Sequence, residues 1–228
     1  MPRIGLFGGS FNPIHFGHLL VADEICEVLD LDRLLLVPAS RPPHKPAAVL
    51  APAAQRFQMT VLAAREHPRF EVSDVELQRP GPSYTVETLV AMQGRGALHL
   101  LIGSENFLDL LSWREPSQVV RLARLVVVPR SSTGFDPESP AARTVLTELG
   151  LPAFVRVPGP CTEREPVSSS AERYEGHRPA PLLVQAASLP ISGSDLRRRA
   201  REGKSLAYRL PATVGAYIRE HQLYRADG

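Results

Sequence analysis

Short runs of consecutive apolar residues alternate along this chain with longer stretches in which apolar positions recur every three or four residues. The runs are Ile4 to Phe7, Leu34 to Val37, Leu98 to Ile102, interrupted only by His99, and Leu125 to Val128, and Phe70 to Leu77 gives a further strand. Each reads as a strand buried on both faces. Between them, Leu19, Leu20, Ala22, Ile25, Cys26 and Leu29 have helical spacing. Ala53 to Glu66 reads as a helix carrying Phe57, Val61 and Leu62 inward, and Thr85 to Met92 as another. Strands that alternate with helices imply a parallel sheet with right-handed crossovers and ligands outside the strand carboxyl ends. The expected fold class is α/β, a Rossmann-like doubly wound parallel sheet with a small C-terminal helical extension.

Residues 1–188 are expected to form the sheet domain and residues 189–228 the extension. The extension holds two helices, Ser194 to Glu202, capped by Ser192 or Ser194, and Ala212 to His221. The part from 131 to 188 is loop-rich: Ser131 to Pro140 is full of Ser, Pro and Gly, and Pro158 to Pro181 holds five prolines among many charges. Between these loops, Ala141 to Leu149 reads as a short helix and Ala153 to Val157 as a strand, with a further strand at Leu182 to Gln185.

At 228 residues the chain can bury one sizeable core. Its net charge of +2 is too small to argue for a nucleic-acid partner. The cluster Arg197, Arg198, Arg199 and Arg201 reads as a solvated helical face. Cys26 falls in a helical apolar pattern and Cys161 in a polar loop, so no disulfide framework is indicated. A strand starts almost at once, leaving no room for a signal peptide, and no apolar run reaches membrane-spanning length. The expectation is a cytoplasmic protein with no membrane partner; the oligomeric state stays open, a homodimer being one option.

The chemistry concentrates at Gly8 to His18, where a strand gives way to a helix. Gly8 and Gly9 let the backbone approach a ligand, and Pro13 biases Asn12 away from helical geometry. The helix then starts near His15 or Phe16, and its first N–H groups would face an anion over the strand end. His15 and His18 sit three apart, on one face of the first turn, so both can donate to the same polyphosphate. An H-x-x-H pair can also ligate zinc, but no third ligand stands at a familiar spacing. Gly203-Lys204-Ser205 is not a Walker A, because Arg198 stands where its first glycine should be. Gly5, Gly8 and Gly9 do not fit the dinucleotide fingerprint either.

Gly8-Gly-Ser-Phe-Asn-Pro-Ile-His-Phe-Gly-His18 resembles the GGxFxPxHxGH signature of the nucleotidyltransferase superfamily with H-x-G-H motifs. Within that superfamily the chain is similar to bacterial nicotinate-nucleotide adenylyltransferases. Val37-Pro-Ala-Ser-Arg-Pro-Pro-His-Lys45, Pro82-Ser-Tyr-Thr-Val-Glu-Thr-Leu89, Leu101-Ile-Gly-Ser-Glu105, Trp113, Ile191-Ser-Gly-Ser-Asp-Leu-Arg197 and Tyr208-Arg-Leu-Pro211 follow in that family's order. Tyr217-Ile218 and Leu223-Tyr224 complete the series. The resemblance implies an enzyme of NAD biosynthesis that transfers the adenylyl group of ATP to nicotinate mononucleotide, releasing pyrophosphate. It implies two small-molecule partners, ATP and that mononucleotide, and Mg²⁺ bridging the phosphates with few protein ligands.

Residue by residue, the resemblance makes His15, His18 and Arg197 catalytic, with His18 the better candidate for the α-phosphate in the transition state. Ser192, Ser194 and Arg197 would hold the β- and γ-phosphates, and Gly8, Gly9, Ser10, Phe11, Gly103, Glu105 and Ile191 would complete the ATP site. The acceptor would meet Ser40, His44, Lys45, Ser83, Tyr84, Thr85 and Trp113. Trp113 is implied as the platform for the pyridine ring, and the backbone of Tyr84 and Thr85 as the donors to its carboxylate, which favours nicotinate over nicotinamide. Three positions depart from the pattern: Ser40 replaces Asn, Glu105 replaces Asp, and Gly193-Ser194 replaces Ser-Thr. The rival readings are an adenylyltransferase of the superfamily with a nicotinamide mononucleotide or phosphopantetheine acceptor, a cytidylyltransferase, and a nucleotide-sensing module without catalysis.

Overall fold

Each apolar run becomes a strand because only a sheet covered on both faces can bury side chains that point alternately up and down. In the computed structural model, which describes residues 1–43, 50–129, 134–159 and 178–225, the strands are β1 (Arg3–Gly9), β2 (Arg33–Pro38), β3 (Phe70–Val72), β4 (Ala97–Gly103), β5 (Arg124–Val128), β6 (Val155–Val157) and β7 (Leu182–Val184). They form one seven-stranded sheet in the order β3-β2-β1-β4-β5-β7-β6, with every neighbouring pair parallel. The alternation is read directly from burial. Leu34, Leu36, Val126, Leu182 and Val184 enter one core, while Leu35, Val37, Leu125, Val127 and Leu183 enter the other.

Helices cover both faces. The first core takes Ala22, Ile25 and Cys26 of α1 (Phe16–Val28), Met59 and Ala63 of α2 (Ala53–Ala64), Leu196 of α7 (Gly193–Arg201), and Val214 and Ile218 of α8 (Ala212–Glu220). The second takes Val86 and Leu89 of α3 (Thr85–Ala91), Phe107 of α4 (Ser104–Leu108), Val119 and Val120 of α5 (Pro116–Leu122), and Val145 and Leu146 of α6 (Pro140–Glu148). A side chain of the extension therefore shares a core with the sheet at each of Leu196, Val214 and Ile218.

Four expectations need correction. The strand expected over Phe70 to Leu77 stops at Val72, because Asp74 closes a turn: its carbonyl accepts from Leu77 N at 2.8 Å and from Gln78 N at 3.1 Å. The inward face of α2 is Arg56, Met59, Thr60, Ala63 and Ala64, with Phe57, Val61 and Leu62 only half-buried. The helices α4 and α5 are additions, lying between the strands expected at Leu98 to Ile102 and Leu125 to Val128, where no element is named from sequence. The strand expected from Ala153 begins at Val155, and that expected through Gln185 ends at Val184. The loops expected at 131–140 and 158–181 lie in part outside the described residues.

Candidate active site

The chain runs outward from β1 to β2 and β3, then returns to lay β4 on the other side of β1. That reversal opens a crevice at the carboxyl ends of β1 and β4. A cleft of about 650 Å³ out to its mouth occupies it, lined by Phe7, Gly8 and Gly9 of β1, by Leu100 to Gly103 of β4, and by Ala39, Glu76, Ser83, Thr85, Thr88, Asn106 and Trp113 from the surrounding loops and helices.

Gly8 and Gly9 serve different ends. A Cβ on Gly8 would meet nothing within 4 Å, so its bare backbone borders open space in the cleft. A Cβ on Gly9 would stand 3.0 Å from the ring of Phe11, so Gly9 is required inside the fold. Phe11 is buried and adopts φ 40, a left-handed backbone that a bulky residue holds only when packing overdetermines it. Its ring stands edge-on to both Phe7 and His18, with centroids 5.7 and 5.2 Å away.

The α1 start carries the two imidazoles, their ring centroids 3.8 Å apart and tilted by 30°. The backbone N–H of His15 donates to Nδ1 of His18 at 3.3 Å. An Nδ1 that accepts a hydrogen bond assigns the ring proton of neutral His18 to Nε2, which makes Nε2 a donor. Gly17 permits this pairing, since a Cβ there would lie 3.1 Å from His15 Nδ1. The Phe16 N–H, offered by the sequence reading to an anion, instead donates to the carbonyl of Arg209 at 3.0 Å.

Asn12 ties distant parts of the chain to this loop. Its side-chain oxygen accepts from the Tyr224 hydroxyl at 2.8 Å and from Ala51 N at 3.1 Å, and its backbone carbonyl accepts from Arg197 Nη1 at 2.8 Å. Burial raises the Tyr224 phenol above its usual range, keeping it a donor. Arg197 also donates to the Ser194 hydroxyl at 3.2 Å. Ser192, not Ser194, caps α7, accepting from Asp195 N at 3.1 Å. Gly193 packs so tightly that a Cβ would stand 3.0 Å from the Asn12 carbonyl, so its lack of a side chain lets α7 sit against the loop. Ile191 is half-buried against the first core beside it.

A second fastener is Arg56, which sequence reading missed. Its side chain is 1% exposed, and its guanidinium donates to the carbonyls of Ala51, Ser10, Ala39 and Ser40 at 2.8, 2.8, 2.6 and 3.0 Å. It thus joins the β1–α1 loop to the β2–α2 loop. Burial lowers its pKa, while Tyr224 and Glu76 favour its charged form. No sequence signal marks it, since an arginine on an amphipathic helix ordinarily reads as surface.

Opposite elements supply the rest. Ser83 clasps Arg41: Ser83 N donates to the Arg41 carbonyl at 2.9 Å and Arg41 N donates to Ser83 Oγ at 3.1 Å. Tyr84 is the N-cap of α3, with the Arg114 guanidinium 4.8 Å over its ring. No described residue accepts from the N–H of Tyr84 or of Thr85. Trp113 is half-buried against the second core and also lines the cleft, so it belongs to the core and borders the open space at once.

Of the expected residues, Gly8, Gly9, Ser83, Thr85, Gly103 and Trp113 line the cleft. His15, His18, Phe11, Ser10 and Arg197 gather around Asn12 beside it. Glu105 is exposed on α4, and its neighbour Asn106 lines the cleft instead. Ser40 presents its carbonyl to Arg56. His44 and Lys45 lie outside the described residues. Glu76, Thr88 and Asn106 are cleft residues that the sequence reading did not name.

A family model described as cytidylyltransferase-like matches residues 6–199. A Thermus thermophilus protein named "probable nicotinate-nucleotide adenylyltransferase" is 42% identical over 226 residues, covering 98% of this chain and 100% of that one. A Roseiflexus protein of the same name is 38% identical over 224 residues, covering 97% and 98%. Among solved structures, Plasmodium falciparum nicotinic acid mononucleotide adenylyltransferase complexed with NaAD shares the fold at a TM-score of 0.69, with 17% identity and 98% of each chain covered.

Proposed function

Since the chain belongs to the cytidylyltransferase-like family, and within it to the nicotinate-nucleotide adenylyltransferases, we propose that it transfers the adenylyl group of ATP to nicotinate mononucleotide in NAD biosynthesis. The products are nicotinate adenine dinucleotide and pyrophosphate. A phosphate oxygen of the mononucleotide forms a bond to the α-phosphorus of ATP, and the bond from that phosphorus to the bridging oxygen of the β-phosphate breaks in line. Pyrophosphate leaves with the electron pair. No protein nucleophile is required, so the enzyme acts by holding two anions together and by stabilising charge on the oxygens.

In this reading Nε2–H of His18 donates to the α-phosphate and His15 supports it from the adjoining ring. Arg197, Ser192 and Ser194 hold the outer phosphates from the start of α7, with Ser10, Phe11 and Ile191 shaping the loop around them. Residues 189–228 are then the small subdomain that completes the ATP site. Gly8 and Gly103, whose Cβ positions are both open, leave room for the nucleotide. The acceptor ring rests on Trp113, and its carboxylate takes the N–H groups of Tyr84 and Thr85, with Ser40, Ser83, His44 and Lys45 nearby. Among the described residues no cluster of three His, Cys, Asp or Glu side chains makes a metal site. A divalent cation, Mg²⁺ in our reading, arrives with ATP and neutralises its phosphate oxygens when bound. Among the described residues no helix is long and apolar enough to cross a membrane, and we read the enzyme as cytoplasmic.

The observation that carries this reading is the junction of the imidazole pair and Arg197 with a cleft holding Trp113 and the open N–H groups of α3. The test is product formation from ATP with nicotinate or nicotinamide mononucleotide. We expect kcat/KM to favour nicotinate by at least about tenfold, or about 1.4 kcal/mol. Equal or reversed preference overturns the acceptor assignment.

A further inference from the structure

Glu76 stands in the cleft wall and takes no part in the reaction as drawn. Its side chain is buried, at 7% exposure. Oε1 accepts the Thr88 hydroxyl at 2.6 Å, and that hydroxyl in turn accepts from Arg79 Nη2 at 2.9 Å. Oε2 is closed off from bulk solvent and meets no donor among the described residues. A carboxylate this dry is costly unless a cation or a full set of donors compensates it. Arg56 feels its charge but spends its guanidinium on four carbonyls. Arg79 is engaged with Thr88 and Glu87. The fold therefore leaves half of a buried carboxylate uncompensated in the cleft wall, and the buried Nε of Arg79 likewise meets no partner among the described residues.

We propose that Glu76 is a specificity residue for the acceptor, pairing its carboxylate with the permanently cationic pyridinium ring. The proposal rests on the acceptor class argued above. A pyridine mononucleotide carries negative charge on its phosphate and on its ring carboxylate, and its sole positive charge is the ring nitrogen made quaternary by the ribose. The cleft offers two features that select such a ring. An indole face attracts a cation through its quadrupole, and a buried carboxylate in a cleft also lined by apolar Leu89, Leu100 and Ile102 acts through a poorly screened field. The ring carboxylate is served separately, by the N–H groups of α3.

The test compares nicotinate mononucleotide with its meta-carboxyphenyl C-riboside monophosphate isostere, in which a neutral benzene replaces the pyridinium and every other group is kept. Binding is measured by calorimetry. Wild-type protein is expected to bind the pyridinium nucleotide about tenfold to a hundredfold more tightly than the isostere. Glu76→Gln is expected to bring the two within about threefold of each other by weakening the pyridinium nucleotide alone. Glu76→Asp, which keeps the charge, should retain the preference in weaker form. Equal binding by the wild type overturns the proposal without any variant. So does a Gln variant that loses both ligands equally, which would mark a contact to the sugar or a purely structural role. If the wild type prefers the pyridinium nucleotide and Glu76→Gln abolishes that preference, but no dinucleotide is made from ATP, the proposed reaction fails and the role of Glu76 stands; a Gln variant that keeps the preference overturns it. If it binds neither ligand, both fail.

Discussion

Replacing Arg56 with Met removes the guanidinium while keeping most of the volume of a side chain that is 1% exposed. Four carbonyls, on Ser10, Ala39, Ser40 and Ala51, lose their donor at once. Hydrogen bonds from a charged donor are worth roughly 1.5–3 kcal/mol each, against a burial cost of several kcal/mol for the cation. The arginine itself is thus only modestly stabilising, but its loss strands polar groups and costs about 3–5 kcal/mol. For a chain of this size that corresponds to a fall in Tm of about 6–20 °C. Arg56→Lys, with one compact ammonium that cannot span four acceptors, should fall between. Calorimetric melting of the three proteins reads the effect, and steady-state kinetics should show KM for ATP rising as the Ser10 loop loosens. A melting point within about 2 °C of wild type for Arg56→Met would refute the claim that this side chain fastens the two loops.

Three further outcomes follow from the same geometry. His18→Ala should lower kcat by about a hundredfold to a thousandfold with little change in ATP affinity, because its donor acts on charge that grows in the transition state; equal loss in both favours a binding module, and an unimpaired His15→Ala removes His15 from the site. Gly8→Val should melt at or above the wild-type temperature, since its Cβ meets nothing within 4 Å, yet raise KM for the nucleotides by about tenfold; unchanged kinetics would show that no ligand passes there. Burial raises the Cys26 thiol from 9.0 to about 12. A pKa raised by folding stabilises the native state fully below the unfolded value, and that contribution fades as pH climbs toward about 12. Native Cys26 should therefore resist alkylation at about pH 8 and react on unfolding, as peptide mapping will show.

The sheet was legible because a strand buried on both faces is written as a near-continuous apolar run, and β1, β2, β4 and β5 lie where such runs stand. β3 was overextended because Val75 and Leu77 continue its apolar look, whereas Ser73 and Asp74 supply the turn. The face of α2 was misread because its most buried large side chain is an arginine, which no hydropathy pattern would place inward. Gly8 to His18 and the Ser192 cap were legible because glycines, a proline and a capping hydroxyl act locally. Glu76, Thr88 and Asn106 were not, since what makes them matter is the cleft they share, and that arises from β4 returning beside β1.

The bond from Tyr224 to Asn12 spans 212 positions of sequence. Closing so long a circuit adds little to the entropic penalty, which grows only as the logarithm of its length, but it sets a sequence of events. On the ribosome, β1 and its loop are made well before the phenol that latches them. A nascent chain can assemble its sheet before this loop is secured, so the latch closes only once the residues after α8 have been made.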